Sequence, residues 1–218
     1  MPTVVAVYTG QGLIAPVQAI FREELPDVRL VNILDDGIIA EVQRSGLTPD
    51  VARRLSAYYH QAEDMGADAI FSTCSSVGEL AAAARRFVRI PIVQIDEAMG
   101  EEAVRRFHAL GVLATLPTTL GPTLRLLRAS AARLGRSVSL VEGLAEGAYE
   151  ALVAGRSEEH DRRIAETARR IGGGVEALVL AQGSMARMEA SLAAETGLPV
   201  LSSPRLGARQ LKAVLAGR

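Results

Sequence analysis

Short runs of β-branched and aliphatic residues alternate along the chain with longer stretches whose apolar positions recur every three to four residues. The first pattern reads as buried strands and the second as amphipathic helices. Strands are predicted at 3–8, 28–34, 69–73, 92–95, 111–115, 137–141, 177–181 and 200–202. Helical spacing covers 50–65, 77–87, 97–109, 120–134, 158–171, 185–196 and 206–215, among other stretches. Strand and helix in regular alternation is the pattern of an α/β protein with parallel sheets, because each parallel connection must cross a sheet face.

The chain also resembles itself. At a shift of 108 residues Ala69-Ile70-Phe71 falls on Ala177-Leu178-Val179, Ser76 on Ser184, and Ile90-Pro91-Ile92 on Leu198-Pro199-Val200, without a gap. At a shift of 106, Thr9 falls on Thr115 and Pro16 on Pro122. Two strand-helix-strand units share composition in any case, but the ungapped register and the paired prolines favour a duplicated unit. Two lobes related by a pseudo-two-fold would face each other with equivalent strand ends across a cleft. Ligands of parallel sheets bind at the carboxyl ends of strands. The cleft is therefore expected to be lined by 9–12, 73–76, 115–119 and 181–184, which are mostly small and polar.

Composition narrows the field. The chain has 218 residues, 49% of them hydrophobic, with 24 Lys and Arg against 25 Asp and Glu. It can bury a core and is not expected to be disordered. A net charge of −1 without a basic block argues against nucleic acid, whose binding depends on a concentrated cationic face. Charges interrupt every apolar run before the roughly 20 residues that span a bilayer, so no membrane association is expected. The opening Met1-Pro2-Thr3-Val4-Val5 has no basic flank before a long apolar run, and no secretory leader is expected. One cysteine can form neither an internal disulfide nor a thiolate zinc site, which points to a reducing cytoplasm. His60, His108 and His160 lack metal-ligand spacing and read as surface or cap residues, so no metal is expected. Asp35-Asp36 and Glu158-Glu159 read as solvated. Gly10-Gln11-Gly12 lacks the third glycine of a dinucleotide loop and the lysine of a phosphate loop. It reads as a turn lining the cleft, with Gln11 a substrate contact.

The single thiol carries the most chemistry. Ser76-Val77-Gly78-Glu79 has the spacing of a capping box, which would start a helix at Val77 and place Cys74 two residues outside it. Unpaired amides and the helix dipole there would lower the thiol pKa and make Cys74 a base or nucleophile. The alternative is a small buried hydrophobe, a common fate of free cysteine. Convergence of Thr73, Ser75, Ser76, Thr115, Thr118, Thr119 and Ser184 favours the functional reading, since neutral donors suit a small carboxylate. Thr9 sits at the same strand ends. At the shift of 108, Cys74 lands on Gln182, followed by Gly183 and Ser184. Gln182 cannot exchange protons near neutral pH, although it can orient a substrate or polarise an oxygen.

These residues resemble the aspartate/glutamate racemase superfamily, which includes hydantoin racemase, maleate isomerase and arylmalonate decarboxylase. The likeness rests on 68–76 (Asp-Ala-Ile-Phe-Ser-Thr-Cys-Ser-Ser), on 176–185 (Glu-Ala-Leu-Val-Leu-Ala-Gln-Gly-Ser-Met), and on 110–115. It implies two similar α/β lobes, residues 1–98 with about 203–218 forming the first and about 99–202 the second, and a homodimer. It implies cofactor-independent chemistry in which two cysteines act as acid and base on opposite faces of a substrate carbon. Cys74 matches the first, whereas Gln182 stands at the second. Three readings follow: an isomerase or racemase-like enzyme using Cys74 alone on a small carboxylate, an amino acid or a dicarboxylate; a single-cysteine decarboxylase; or a non-catalytic small-molecule binding protein.

Overall fold

The computed structural model describes residues 1–217. In chain order the elements are β1 (Thr3–Tyr8), α1 (Ile14–Glu24), β2 (Arg29–Leu34), α2 (Gly37–Ser45), α3 (Pro49–Asp64), β3 (Ala69–Ser72), α4 (Gly78–Ala84) and β4 (Ile92–Gln94). There follow α5 (Glu97–Arg106), β5 (Ala109–Ala114), α6 (Pro117–Arg133), β6 (Ser139–Leu144), α7 (Ala148–Val153), α8 (Ser157–Gly172), β7 (Ala177–Leu180), α9 (Glu189–Thr196), β8 (Val200–Leu201) and α10 (Ser203–Ala216). Three 3-10 turns, Gln11–Leu13, Ser75–Val77 and Gly183–Met188, follow β1, β3 and β7. The protein is α/β, with two four-stranded parallel sheets ordered β2-β1-β3-β4 and β6-β5-β7-β8. Among the described residues no helix is long and apolar enough to cross a membrane.

Contacts divide the chain into two units. The first is Met1–Glu97 together with the C-terminal segment from Pro204; the second is Ala98–Ser203. In the first unit β1 shows why its sequence is apolar throughout. Val5 and Val7 point to one face, where Ile38 and Val42 of α2, Leu55 and Tyr59 of α3 and Ala81 of α4 pack. Val4, Ala6 and Tyr8 point to the other, against Val17 and Phe21 of α1 and Ala208 and Leu211 of α10. A strand covered on both faces needs hydrophobic residues at consecutive positions. In the second unit Leu113, Leu178, Leu180 and Val200 meet Ile164, Ala168 and Ile171 of α8 and Leu192 of α9.

Three helices lie outside the stretches named from periodicity. Helix α1 carries Pro16 in its first turn, where proline forfeits no hydrogen bond, α2 opens on Gly37, and α7 has only six residues. The predicted helix at 185–196 is split, because its first residues coil as a 3-10 turn before α9 begins.

Helix α10 closes on the backbone that follows β4. A β-carbon at Gly207 would lie 2.5 Å from the Ile95 carbonyl oxygen, a backbone atom that cannot swing aside. Gly207→Ala should therefore cost about 1–3 kcal/mol of unfolding free energy, the range for overpacking. Gly173→Ala, at a site with a negative φ and nothing within 4 Å, should be close to neutral. Urea denaturation of the two variants checks the contrast.

Candidate active site

In the first unit β1 and β3 are neighbours, yet the segments that follow them pack on opposite faces, α1 with α10 and α4 with α2 and α3. Such a reversal opens a crevice beyond the carboxyl ends of the two strands. Thr9 and Cys74 stand at those ends. Thr73 pins the approach, its N–H and hydroxyl both donating to the Val7 carbonyl at 3.2 and 2.9 Å. Cys74 then takes an extended conformation and its carbonyl accepts from the Val77 N–H at 3.3 Å, closing the 3-10 turn. Helix α4 starts at Gly78, one residue beyond the expected Val77, because Ser75–Val77 coil as this tighter turn.

The turn is folded around sulfur. The hydroxyls of Thr9 and Ser76 and the N–H groups of Ser76 and Val77 hydrogen-bond to Cys74 Sγ. The residue is half-buried, and desolvation pushes the thiol pKa up, with the four donors only partly offsetting it. This corrects the expected lowered pKa. The helix behind has seven residues, and a short dipole does not outweigh desolvation. Below the thiol, Tyr59 is fully buried and its hydroxyl lies 2.9 Å from Ser72 Oγ.

The second unit repeats the arrangement with different chemistry. The Thr115 N–H donates to Gln182 Oε1 at 2.7 Å, and Gln182 Nε2 donates to Thr115 Oγ1 at 2.6 Å. The Gln182 carbonyl accepts from the Met185 N–H at 3.0 Å, matching the Cys74–Val77 bond. The threonine ending the first strand of each unit thus touches the residue that follows the third. Gly183 is buried and Ser184 half-buried on the turn beyond. Thr118 and Thr119 occupy the first turn of α6; Thr119 is buried, and Thr118 Oγ1 is buried without a hydrogen-bond partner.

A family model described as Asp/Glu/Hydantoin racemase matches residues 15–211. The chain belongs to that family. Membership supports an enzyme of the racemase or isomerase type. Among solved structures, glutamate racemase from Francisella tularensis subsp. tularensis SCHU S4 in complex with D-glutamate superposes with a TM-score of 0.78 at 14% identity, over 99% of this chain and 81% of its own. Allantoin racemase from Klebsiella pneumoniae gives 0.70 at 17%, over 99% and 88%. Unliganded arylmalonate decarboxylase gives 0.59 at 14%, over 100% and 94%. At these identities the likeness is one of fold. No curated protein sequence matches the chain.

Asp35 and His160 of this racemase-family chain fall differently from expectation, whereas Gln11 keeps an accessible place beyond β1. Gln11 is exposed and its Nε2 donates to Asp36 Oδ2 at 3.0 Å. Asp35 is not solvated: Arg54 grips both its oxygens and the Tyr58 hydroxyl donates at 2.7 Å. Burial pushes the Asp35 carboxyl up, but these donors outweigh it and hold it below the usual range. His160 is buried, not a surface residue, because it lies one turn before Ile164 on the core-facing side of α8; its Nδ1 lies 2.7 Å from Asp161 Oδ1. Among the described residues no group of three or more His, Cys, Asp or Glu side chains is placed to hold a metal.

One residue escaped the sequence reading. Asp96, two positions beyond β4, is 4% exposed and accepts from the Ser75 hydroxyl and its own N–H. A single Asp between a strand and a helix reads as a cap, and nothing in the spacing indicates burial.

Two outcomes follow from this geometry. Alkylation of Cys74 by iodoacetamide, followed against pH, should have its midpoint above the value of about 8.5 for a free cysteine. Thr9→Val should raise it by about half a unit more, the worth of one hydrogen bond. Faster labelling than free cysteine at neutral pH would show that desolvation is not the dominant influence. Gln182→Leu should lower unfolding stability by about 1–3 kcal/mol in urea titrations, since it leaves the Thr115 N–H without its acceptor. Gln182→Glu should be milder, because a carboxylate accepts from both the N–H and the hydroxyl of Thr115.

Proposed function

We propose that the protein is a cofactor-independent isomerase that acts on a small carboxylate through Cys74 alone. The observation that carries this reading is the ring of donors closed on one sulfur: Thr9 and Ser76 hydroxyls with the Ser76 and Val77 amides. Four donors stabilise a thiolate once it forms, although burial keeps the resting group protonated. Substrate that brings its own hydrogen bonds and excludes water alters that balance.

Gln182 supports a mechanism with one titratable group. Two-base racemisation needs a proton acceptor on one face of the carbon and a donor on the other. An amide committed to Thr115 supplies neither. Addition and elimination across a double bond needs no second base. Cys74 passes its proton to a substrate carboxylate and its Sγ bonds to one olefinic carbon, the electron pair moves into the adjacent carboxylate as an enolate, the remaining single bond rotates, and expulsion of the thiolate restores the double bond and lets the proton return to sulfur. Thr115, Thr118, Thr119, Ser75, Ser76, Gly183 and Ser184 are assigned to substrate binding as neutral donors, with Gln11 and Gln182 as orienting groups.

A second reading is favoured by the raised thiol pKa. A single-cysteine decarboxylase needs one proton donor: the C–C bond to the leaving carboxylate breaks, carbon dioxide departs, and the enolate left behind takes its proton from the Cys74 thiol. A thiol held protonated suits that step.

Proton NMR in deuterated water separates the two. The full-length protein is incubated with cis-unsaturated dicarboxylates, α-amino acids, hydantoins and substituted malonates. Cis-trans conversion without deuterium uptake is the expected result. One-base racemisation exchanges the α-proton, and decarboxylation installs deuterium with loss of carbon dioxide. Cys74→Ala should lower the observed turnover at least about a hundredfold, in the range of a lost acid/base or nucleophilic group. Undiminished turnover in that variant, or none by the native protein on any class, overturns the assignment and leaves the non-catalytic binding protein.

A further inference from the structure

Beside the Cys74 turn lies a polar residue that the proposed chemistry does not use. The β3–β4 register pairs Ser72 with Gln94, and the Ile95 N–H donates to the Ser72 carbonyl at 2.9 Å. The chain therefore runs alongside the Cys74 turn as far as Asp96. There the carboxyl is 4% exposed, Ser75 is 7% exposed, and the Ser75 hydroxyl donates to it. Glu97 is the charged group acting on Asp96, and its two carboxylate oxygens are taken by Arg85 at 2.7 Å each. Among the described residues no guanidinium acts on Asp96 itself. A carboxyl taken from water without a cation is costly, and such groups concentrate at functional sites.

We propose that Asp96 is a positioning residue for Cys74: through Ser75 it fixes the 3-10 turn so that the Ser76 hydroxyl and the Ser76 and Val77 amides converge on the sulfur. The proposal rests on the reading that Cys74 is the reactive group. Ser75 is the first residue of that turn, and its carboxyl partner arrives from the neighbouring strand, so the turn is anchored to the sheet by a side chain as well as by its own backbone. Burial raises the Asp96 carboxyl pKa, which extends its neutral form toward higher pH and so delays a negative charge beside the thiolate. As pH rises and Asp96 ionises, that charge opposes the thiolate. The titratable neighbours to be weighed in the same profile are Cys74, Glu97, Arg85 and Tyr59.

The test is the rate of Cys74 alkylation by iodoacetamide from mildly acidic to alkaline pH, on full-length protein, for the native chain, Asp96→Asn, Asp96→Ala and Ser75→Ala. Asp96→Ala and Ser75→Ala should each change the rate at neutral pH by about fivefold or more, the worth of one hydrogen bond. Asp96→Asn keeps an acceptor for Ser75 and should stay within about twofold of the native rate at neutral pH, where Asp96→Ala does not. A structural role alone does not produce that rescue. If Asp96→Ala fails to fold, Ser75→Ala, which leaves the carboxyl in place, decides the matter. Native rates in Ser75→Ala, or in Asp96→Ala where it folds, overturn the assignment of Asp96 while leaving the Cys74 reading intact. An inert Cys74 in the native protein at every pH overturns both.

Discussion

Desolvation and donated hydrogen bonds compete at one sulfur atom, and under the proposed function that competition sets the chemistry. Burial alone makes a thiol a poor acid, and the ring around Cys74 is what keeps a thiolate within reach. Each part of that ring depends on a different level of the structure. Thr9 is placed by β1, the amides by a 3-10 turn, and the turn by the end of β3, where Thr73 binds the Val7 carbonyl. The adjacency of β1 and β3 is in turn enforced by a sheet whose strands are apolar on both faces. Hydrophobic layering therefore comes first, and the site is its consequence at the strand ends.

Both units obey the same construction, which makes their difference informative. Each brings the threonine after its first strand against the residue after its third strand, and each closes a 3-10 turn on that residue's carbonyl. In the second unit an amide satisfies the Thr115 N–H and hydroxyl by two short bonds. A thiol at that position could not reciprocate so well, being a weak donor and weak acceptor. The second unit thus has a fixed polar end, and the first has a group that can change charge. That asymmetry is chemical and not architectural.

Much of this was legible in the residues. The alternation of short apolar runs with helical spacing yields α/β, and the self-match at shifts of 106 and 108 pairs Thr9 with Thr115 and Cys74 with Gln182, the positions that play equivalent parts in the two units. What was not legible depends on desolvation and on contacts distant in sequence. The sign of the Cys74 pKa shift could not be read from a helix start, because it depends on how deeply the sulfur sits. The spacing of Ser76 and Glu79 marks a helix start, but not the 3-10 turn over Ser75–Val77 that precedes it. Asp35 and His160 look like surface residues until Arg54, Tyr58 and the core face of α8 are in place. Asp96 offers no periodicity at all; its burial follows from the β3–β4 register.

Counting titratable groups limits what such a site can do. A cysteine whose resting form is the thiol can give a proton before it can take one, while the same cysteine as thiolate is a soft nucleophile suited to conjugated carbon. Reactions that need one proton event or one reversible bond remain open to it. Stereochemical inversion by separate acid and base does not, unless the second group comes from substrate or water. Under the proposed function, neutral donors at the strand ends sharpen the constraint further, since they would hold a carboxylate without neutralising it and leave charge on the substrate as the thiolate forms. Two like charges then share a poorly solvated site, and the cost is lowest where electron density moves away from the attacked carbon into an extended conjugated acid. That electrostatic argument favours an unsaturated carboxylate over a saturated amino acid as the partner of Cys74.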